Sequence, residues 1–209
     1  MGLETKVRYA PSTQFYLADR LAGRPWRTRL PFPVHVVEHV ETRDHVTGHT
    51  SIKKYRYHHG YFDGPEREFR GFGSVETEDA ESFADFNAPE LFPTGHQIID
   101  GALYVPPVLT KTWFHTGAYL GDGSLSRCFA AEYYSDKTQQ NPDGIAVDLP
   151  DSILPSGLTP IERREAVRAL RGRTLRVEVY ALDNTPSQTH PYTVAETNFE
   201  IRRLIQPVP

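Results

Sequence analysis

Polar and apolar positions alternate through most of the chain, the period of strands whose two faces differ. Val34, Val36 and Val40 fall on one side of a first run, with His35, Val37 and His39 on the other. Residues 53–62 set Tyr55, Tyr57 and Tyr61 opposite Arg56 and His58, as in a strand with one aromatic, half-buried face. After Val108, Thr112 and Phe114 oppose Lys111, Trp113 and His115. Leu175, Val177, Val179 and Ala181 alternate with Arg176, Glu178 and Tyr180, and residues 193–204 continue in strand-like composition. The pattern predicts roughly six to nine strands. Residues 160–171 break the period: Thr159 can cap, Pro160 suits a first turn, Glu162 stands at the capping-box position, and Ile161, Val167 and Leu170 form an apolar stripe. Arg168, Arg171 and Arg173 follow, with Gly172 as the stop, so one short helix is expected in a mainly β chain.

Seventeen prolines punctuate the strands. Pro31 and Pro33 flank Phe32, Pro106-Pro107 precedes a strand, and Asn141-Pro142-Asp143-Gly144 spells a turn. These read as corners within one β-rich domain over residues 1–209, and the aperiodic residues 81–95 read as a long loop. The densest segment is YRYHHGYFDGPEREFRGFGSVETED, residues 55–79: two strand patterns joined at Asp63-Gly64-Pro65, a hairpin signal. Gly60, Gly71 and Gly73 permit bulges or close backbone approach. On the return strand Glu66, Glu68, Arg70 and Phe72 share one face, and Arg67 and Phe69 the other.

Composition narrows the function classes. The 209 residues carry 23 basic and 27 acidic side chains, a net charge of −4, which gives no broad basic footprint for nucleic acid. Aromatic residues make up 11% of the chain, so disordered and fibrous classes do not fit. No stretch approaches the roughly 18 apolar residues of a membrane helix, and the first residues lack the apolar core of a secretory signal. Cys128 is the sole cysteine, so an internal disulfide is excluded, and it reads as a small, largely buried residue.

The candidate chemistry is thin. Glu66-Arg67-Glu68 matches the paired-glutamate pattern of ADP-ribosyltransferases, but Glu76-Thr77-Glu78 repeats it, and such pairs arise by default on one strand face. His58-His59 with Asp63, or His35 with His39, could be drawn as metal sites. Adjacent strand residues point to opposite faces, however, and a pair four apart is roughly 13 Å apart, so no metal or cofactor is expected. Gly121-Asp122-Gly123-Ser124 lacks both the P-loop lysine and the order of a hydrolase elbow, and reads as a turn. Trp26, Trp113 and the tyrosine row leave open a β-sandwich module that binds glycan or protein.

The central segment resembles the middle region of the B component of insecticidal toxin complexes, of the TcdB and TcaC type, and of SpvB-like virulence proteins. The residues that carry it are Gly60-Tyr61, Asp63 and Glu66-Arg67-Glu68-Phe69-Arg70-Gly71-Phe72-Gly73. Residues 9–12, 30–37, 107–119, 168–172, 178–183 and 191–194 look similar to the same family, so the likeness runs over nearly the whole chain. The resemblance implies a curved antiparallel sheet that is part of an Rhs-like shell, with other segments of the B component and a C-type Rhs-repeat chain as partners and a cytotoxic polypeptide enclosed. It implies a non-enzymatic role without direct membrane insertion, with assembly in the bacterial cytoplasm before secretion. Gly60, Asp63, Gly64, Gly71 and Gly73 would then shape the backbone, and Arg67, Phe69 and Arg70 would pack or pair strands.

Overall fold

A computed structural model describes residues 2–46, 50–80, 106–120, 124–135 and 149–204. Alternation dominates the sequence, and strands dominate the result: β1 (Leu3–Pro11), β2 (His35–Asp44), β3 (Thr50–Asp63), β4 (Glu68–Ala80), β5 (Val108–Phe114), β6 (Thr174–Ala181) and β7 (Thr193–Glu196). They form one antiparallel sheet whose spatial order is the chain order, an open meander with β1 and β7 as its edges. Register shifts at Arg8/Tyr9, Gly60/Phe62 and Trp113/Phe114 insert bulges, the devices that bend and twist a sheet. The first leaves Glu38 unmatched between Val37 and His39, so Val36 and Val40 lose the common face their even spacing implied. Residues 193–204 do not run on as a strand: β7 stops at Glu196, and Glu200 bridges to Ile153.

Two α-helices flank the sheet where one was expected. Helix α2 (Pro160–Arg168) carries the expected capping box, with Thr159 Oγ1 accepting from the Glu162 amide and the Glu162 carboxylate accepting from the Thr159 amide at 2.8 Å. Gly172, at φ +74°, follows it in the left-handed region. Helix α1 (Ser12–Leu21) was not expected. Its buried positions, Ser12, Phe15 and Asp19, have helical spacing, but two are polar, so a search for apolar periodicity passes over it. The segments at residues 81–95, 121–123 and 141–144 lie outside the described residues.

Two apolar clusters pin the layers. Ala10, Phe15 and Val36 join α1 to β1 and β2, with Trp26, Tyr57 and Phe72 packed against them. Trp113, Cys128, Phe129, Tyr133 and Leu175 join β5 and β6 to a 3-10 helix, Arg127–Glu132.

Residues directly opposite one another on neighbouring strands share a face, so the registers sort the two faces of the sheet. One bears a cross-strand row Arg56, Glu76, Lys111, Glu178, alternating in sign. The other bears Tyr55, Thr77, Thr110, Val179 and Thr193, next to a row of Tyr57, Val75, Thr112, Val177 and Ala195. Burial inverts the usual rule: Arg176 and Glu178 are 5% and 0% exposed, while Val177 and Val179 on the uncharged face stay half-exposed.

Candidate functional site

The β3–β4 hairpin is where the sequence motif and the tertiary contacts meet. Its reversal is wider than Asp63-Gly64 alone suggested. Asp63 pairs with Glu68, and residues 64–67 form the turn, closed by the Arg67 amide donating to the Gly64 carbonyl at 3.3 Å. Glu66 and Arg67 therefore lie in the turn and not on strand faces, and Arg67 sits at φ +52°. Asp63 stabilises the turn from inside, its Oδ1 accepting from the Glu66 amide at 3.2 Å.

Arg70 reaches back beneath this turn. Its Nη2 lies 2.9 Å from Asp63 Oδ2 as an ion pair, and both side chains are almost wholly buried. Nη1 donates to the Gly117 carbonyl at 3.0 Å and Nε to Glu68 at 3.2 Å, while Tyr61 lies under the guanidinium at 6.0 Å. Two further arginines come from the C-terminal part of the chain. Arg164 donates to Glu66 at 2.8 Å; Arg171 donates to Glu68 and, at 3.2 Å, to the Phe69 carbonyl. The hydrogen bond from Arg171, helped by Arg70, holds the Glu68 carboxyl below the ordinary glutamate range. Glu66 and Glu68, whose spacing matches the paired-glutamate pattern, serve as acceptors in an arginine seam.

The glycines divide by role. A Cβ on Gly73 would lie 2.5 Å from Phe129 Cζ, and one on Gly60 would lie 2.8 Å from both Leu30 and Trp26, so both mark close approach. Gly71 stands at φ +91° within the bulge, where Arg70 and Gly71 together oppose Tyr61. Gly64 meets nothing within 4 Å and has no left-handed φ, so the expectation that it shapes the backbone is not supported by its surroundings. Phe69 and Phe72 pack edge to face at 5.6 Å, and Phe72 meets Tyr57 at 4.9 Å.

The two adjacent histidines do not approach Asp63 as a metal set. His58 pairs with Asp19 at 2.6 Å, and Trp26 donates to the same carboxylate at 2.8 Å. Burial raises the Asp19 carboxyl, but those two hydrogen bonds outweigh it and hold the group below its ordinary range. His59 pairs with Glu132 at 2.7 Å and stacks on Phe129. Its φ of +57° departs from strand geometry, so the rule of opposite faces fails and the two rings lie 6.4 Å apart. Among the described residues no group of three or more metal-ligating side chains converges. Trp113 is 3% exposed, with its indole N–H on Glu132, and offers no face to a sugar.

Sequence reasoning missed these pairings. Gly117 and Arg171 fall in segments that carry the family likeness, and Arg171 was read only as a helix-end charge, while Asp19 and Glu132 lie in segments with no motif of their own.

A family model described as the insecticide toxin TcdB middle/N-terminal region matches residues 1–117, more than half of the chain. The chain belongs to that family. A second model, the TcdB middle/C-terminal region, matches residues 165–208, so the bonds from Arg171 to Glu68 and Phe69 join the two regions. The crystal structure of TcdB2-TccC3-Cdc42 matches 100% of this chain and 9% of its own at 31% identity and a TM-score of 0.74. TcdB2-TccC3 without its hypervariable C-terminal region matches at 35% identity, 98% and 9% coverage and a TM-score of 0.72. A Tc holotoxin pore of Photorhabdus luminescens matches at 34% identity, 95% and 9% coverage and a TM-score of 0.69. The chain thus spans about a tenth of the length of these matched proteins. No curated protein matches. The chain is a structural segment of the toxin-complex B component type.

Proposed function

We propose that this chain is a non-enzymatic piece of a β-sheet shell that, with a C-type Rhs-repeat partner and the rest of a B component, encloses a cytotoxic polypeptide before translocation. One observation carries this most: the meander has two unclosed edges and an uncharged, half-exposed face, yet its whole length superimposes on TcdB2 in complex with TccC3. A sheet with open edges is completed by neighbours. At β1 the edge presents Leu3, Val7 and Tyr9 at 68, 43 and 62% exposure, an invitation to pairing rather than a finished surface. The buried Asp63–Arg70 pair and the arginine seam then act as internal bracing that keeps the wall's two family regions in register. Assembly takes place in the bacterial cytoplasm and release follows. No helix of the described residues is long and apolar enough to cross a membrane.

The test is protease protection. The B component containing this segment is co-expressed with its C-type partner, and the partner's C-terminal polypeptide is followed during proteinase K digestion. Containment predicts that it survives until the shell is unfolded. Degradation at the rate of the free polypeptide, with an intact shell, refutes it.

A further inference from the structure

Helix α1 packs over β3 and β1, and between it and the charged face lies a cleft of about 580 Å³. That volume falls within the roughly 300–1,000 Å³ of small-molecule sites. Phe15 and Ala18 of α1 and Leu109 of β5 give the cleft an apolar lining. The rest of the lining is charged, and its charges are unevenly spent. Asp19 takes His58, Trp26 and Arg24 at 2.6, 2.8 and 3.3 Å. Glu38 accepts from Gln14 at 3.0 Å. Glu78 pairs with Lys54 at 3.5 Å, and Glu76, directly across from Arg56, pairs with Lys111 at 3.7 Å instead. All four lining carboxylates therefore have a donor within the chain. Arg8 and Arg56 have no such acceptor: both line the cleft and are exposed, and neither guanidinium makes an ion pair or hydrogen bond among the described residues. Nε2 of His39 and Nε2 of His58, in the same lining, are shielded from solvent and also lack a hydrogen-bond partner among the described residues. Unspent polar capacity of this kind calls for an occupant.

The ladder brings the unspent groups together. Arg8 stands opposite His39 and His39 opposite Lys54, while Arg56 and His58 follow Lys54 on the same face of β3. The backbones of Arg8 and Arg56 are two strands and one two-residue step apart, about 12 Å, so two arginine side chains can close on one anion between them. A guanidinium offers a planar fork of donors that matches carboxylate and phosphate oxygens. A cationic ligand would meet two like charges instead. Two unspent guanidinium groups beside apolar lining thus describe a ligand with an anionic head and an apolar body.

We propose that this cleft binds a small organic anion, a carboxylate or phosphate ester on an apolar body, with the head held by Arg8 and Arg56 and the body against Phe15 and Leu109. The site stands independently of the shell reading. Benzoate, phenyl phosphate and benzamide, the neutral isostere of benzoate, are titrated into the full B component containing this segment and followed by saturation-transfer NMR. Benzoate or phenyl phosphate is expected to bind, and benzamide about tenfold more weakly or worse. Combining Arg8→Gln with Arg56→Gln should weaken the anion about tenfold or more and leave the melt unchanged, because neither side chain has a partner in the chain to lose. Arg173→Gln, which removes an exposed arginine outside the cleft, should leave binding as it was. Equal binding of benzamide overturns the anionic reading, and it is measured on the unsubstituted protein, whatever the variants do. Anion binding that survives the double substitution, or that falls as far in Arg173→Gln, overturns the assignment to this cleft. Failure of both anions to bind at millimolar concentration overturns the site altogether.

Discussion

Replacing Arg70 by Met is the sharpest test of the bracing beneath the hairpin. Methionine keeps much of the side-chain length but removes three polar contacts: the 2.9 Å ion pair with Asp63, the 3.0 Å bond to the Gly117 carbonyl and the 3.2 Å bond to Glu68. Asp63, 1% exposed, is left as a buried carboxylate with the Glu66 amide at 3.2 Å and the Tyr61 hydroxyl at 3.5 Å. Breaking a buried pair on one side costs about 3–5 kcal/mol, mainly because the survivor's charge is uncompensated. In a chain of this size that corresponds to a Tm lower by roughly 6–20 °C. Asp63→Asn combined with Arg70→Met removes both charges, so the double variant should recover about 1–3 kcal/mol relative to the sum of the single changes. Urea melts followed by circular dichroism give all four corners of the cycle. A single Arg70→Met variant within about 1 kcal/mol of the parent, or a strictly additive cycle, would refute the claim that this pair braces the hairpin.

Gly73→Ala should cost about 1–3 kcal/mol in the same melts, because its Cβ would lie 2.5 Å from Phe129 and 2.9 Å from His59 Cβ, whereas Gly64→Ala should stay within about 0.5 kcal/mol. Gly71→Val has open space but a φ of +91°, so backbone strain should lower stability by about 1–3 kcal/mol; an unchanged melt would rule that out. Burial depresses His115 from 6.5 to about 4. The unfolded chain takes up that proton first, so stability is full above pH 6.5 and falls by about 3 kcal/mol as pH drops to 4, a slope that His115→Gln should flatten. Glu76→Lys places three cations in the Arg56–Lys111 row and should cost about 1–2 kcal/mol, while Thr77→Val on the other face should be nearly neutral; equal costs would erase the distinction between the faces.

What could be read without coordinates was what is local. Asp63, the glycines and the alternation around them announce a hairpin, and Thr159-Pro160-Ile161-Glu162 announces a capped helix, because turns and caps are written in neighbouring residues. Helix α1 was invisible for a related reason: its inward positions include Ser12, which accepts from the Val34 amide, and Asp19, which takes His58 and Trp26. Polar residues buried for their hydrogen bonds do not register as an apolar stripe. The seam was illegible because its partners lie far apart in sequence, 98 residues from Glu66 to Arg164 and 103 from Glu68 to Arg171. Alternation in β6 likewise separates Val177 and Val179 from Arg176 and Glu178 without saying which pair faces inward, and the apolar pair is the outer one.

That inversion has a consequence for how the sheet finds its register. On the uncharged face, sliding a strand by two residues exchanges Thr110 for Thr112, Val177 for Val179 or Val75 for Thr77, with little change in packing. Such a face discriminates weakly between registers. On the charged face the same slide moves Lys111 from between Glu76 and Glu178 to between Ser74 and Arg176 in one direction, or Glu78 and Tyr180 in the other, so that it loses both acidic neighbours or one of them. One-residue slips are worse, since they carry the buried Arg176 and Glu178 out of their bonds to Tyr134 and Glu196. Register is therefore specified by the ionic face, at some cost in desolvation. Because it is specified there, the other face is free to be uniform.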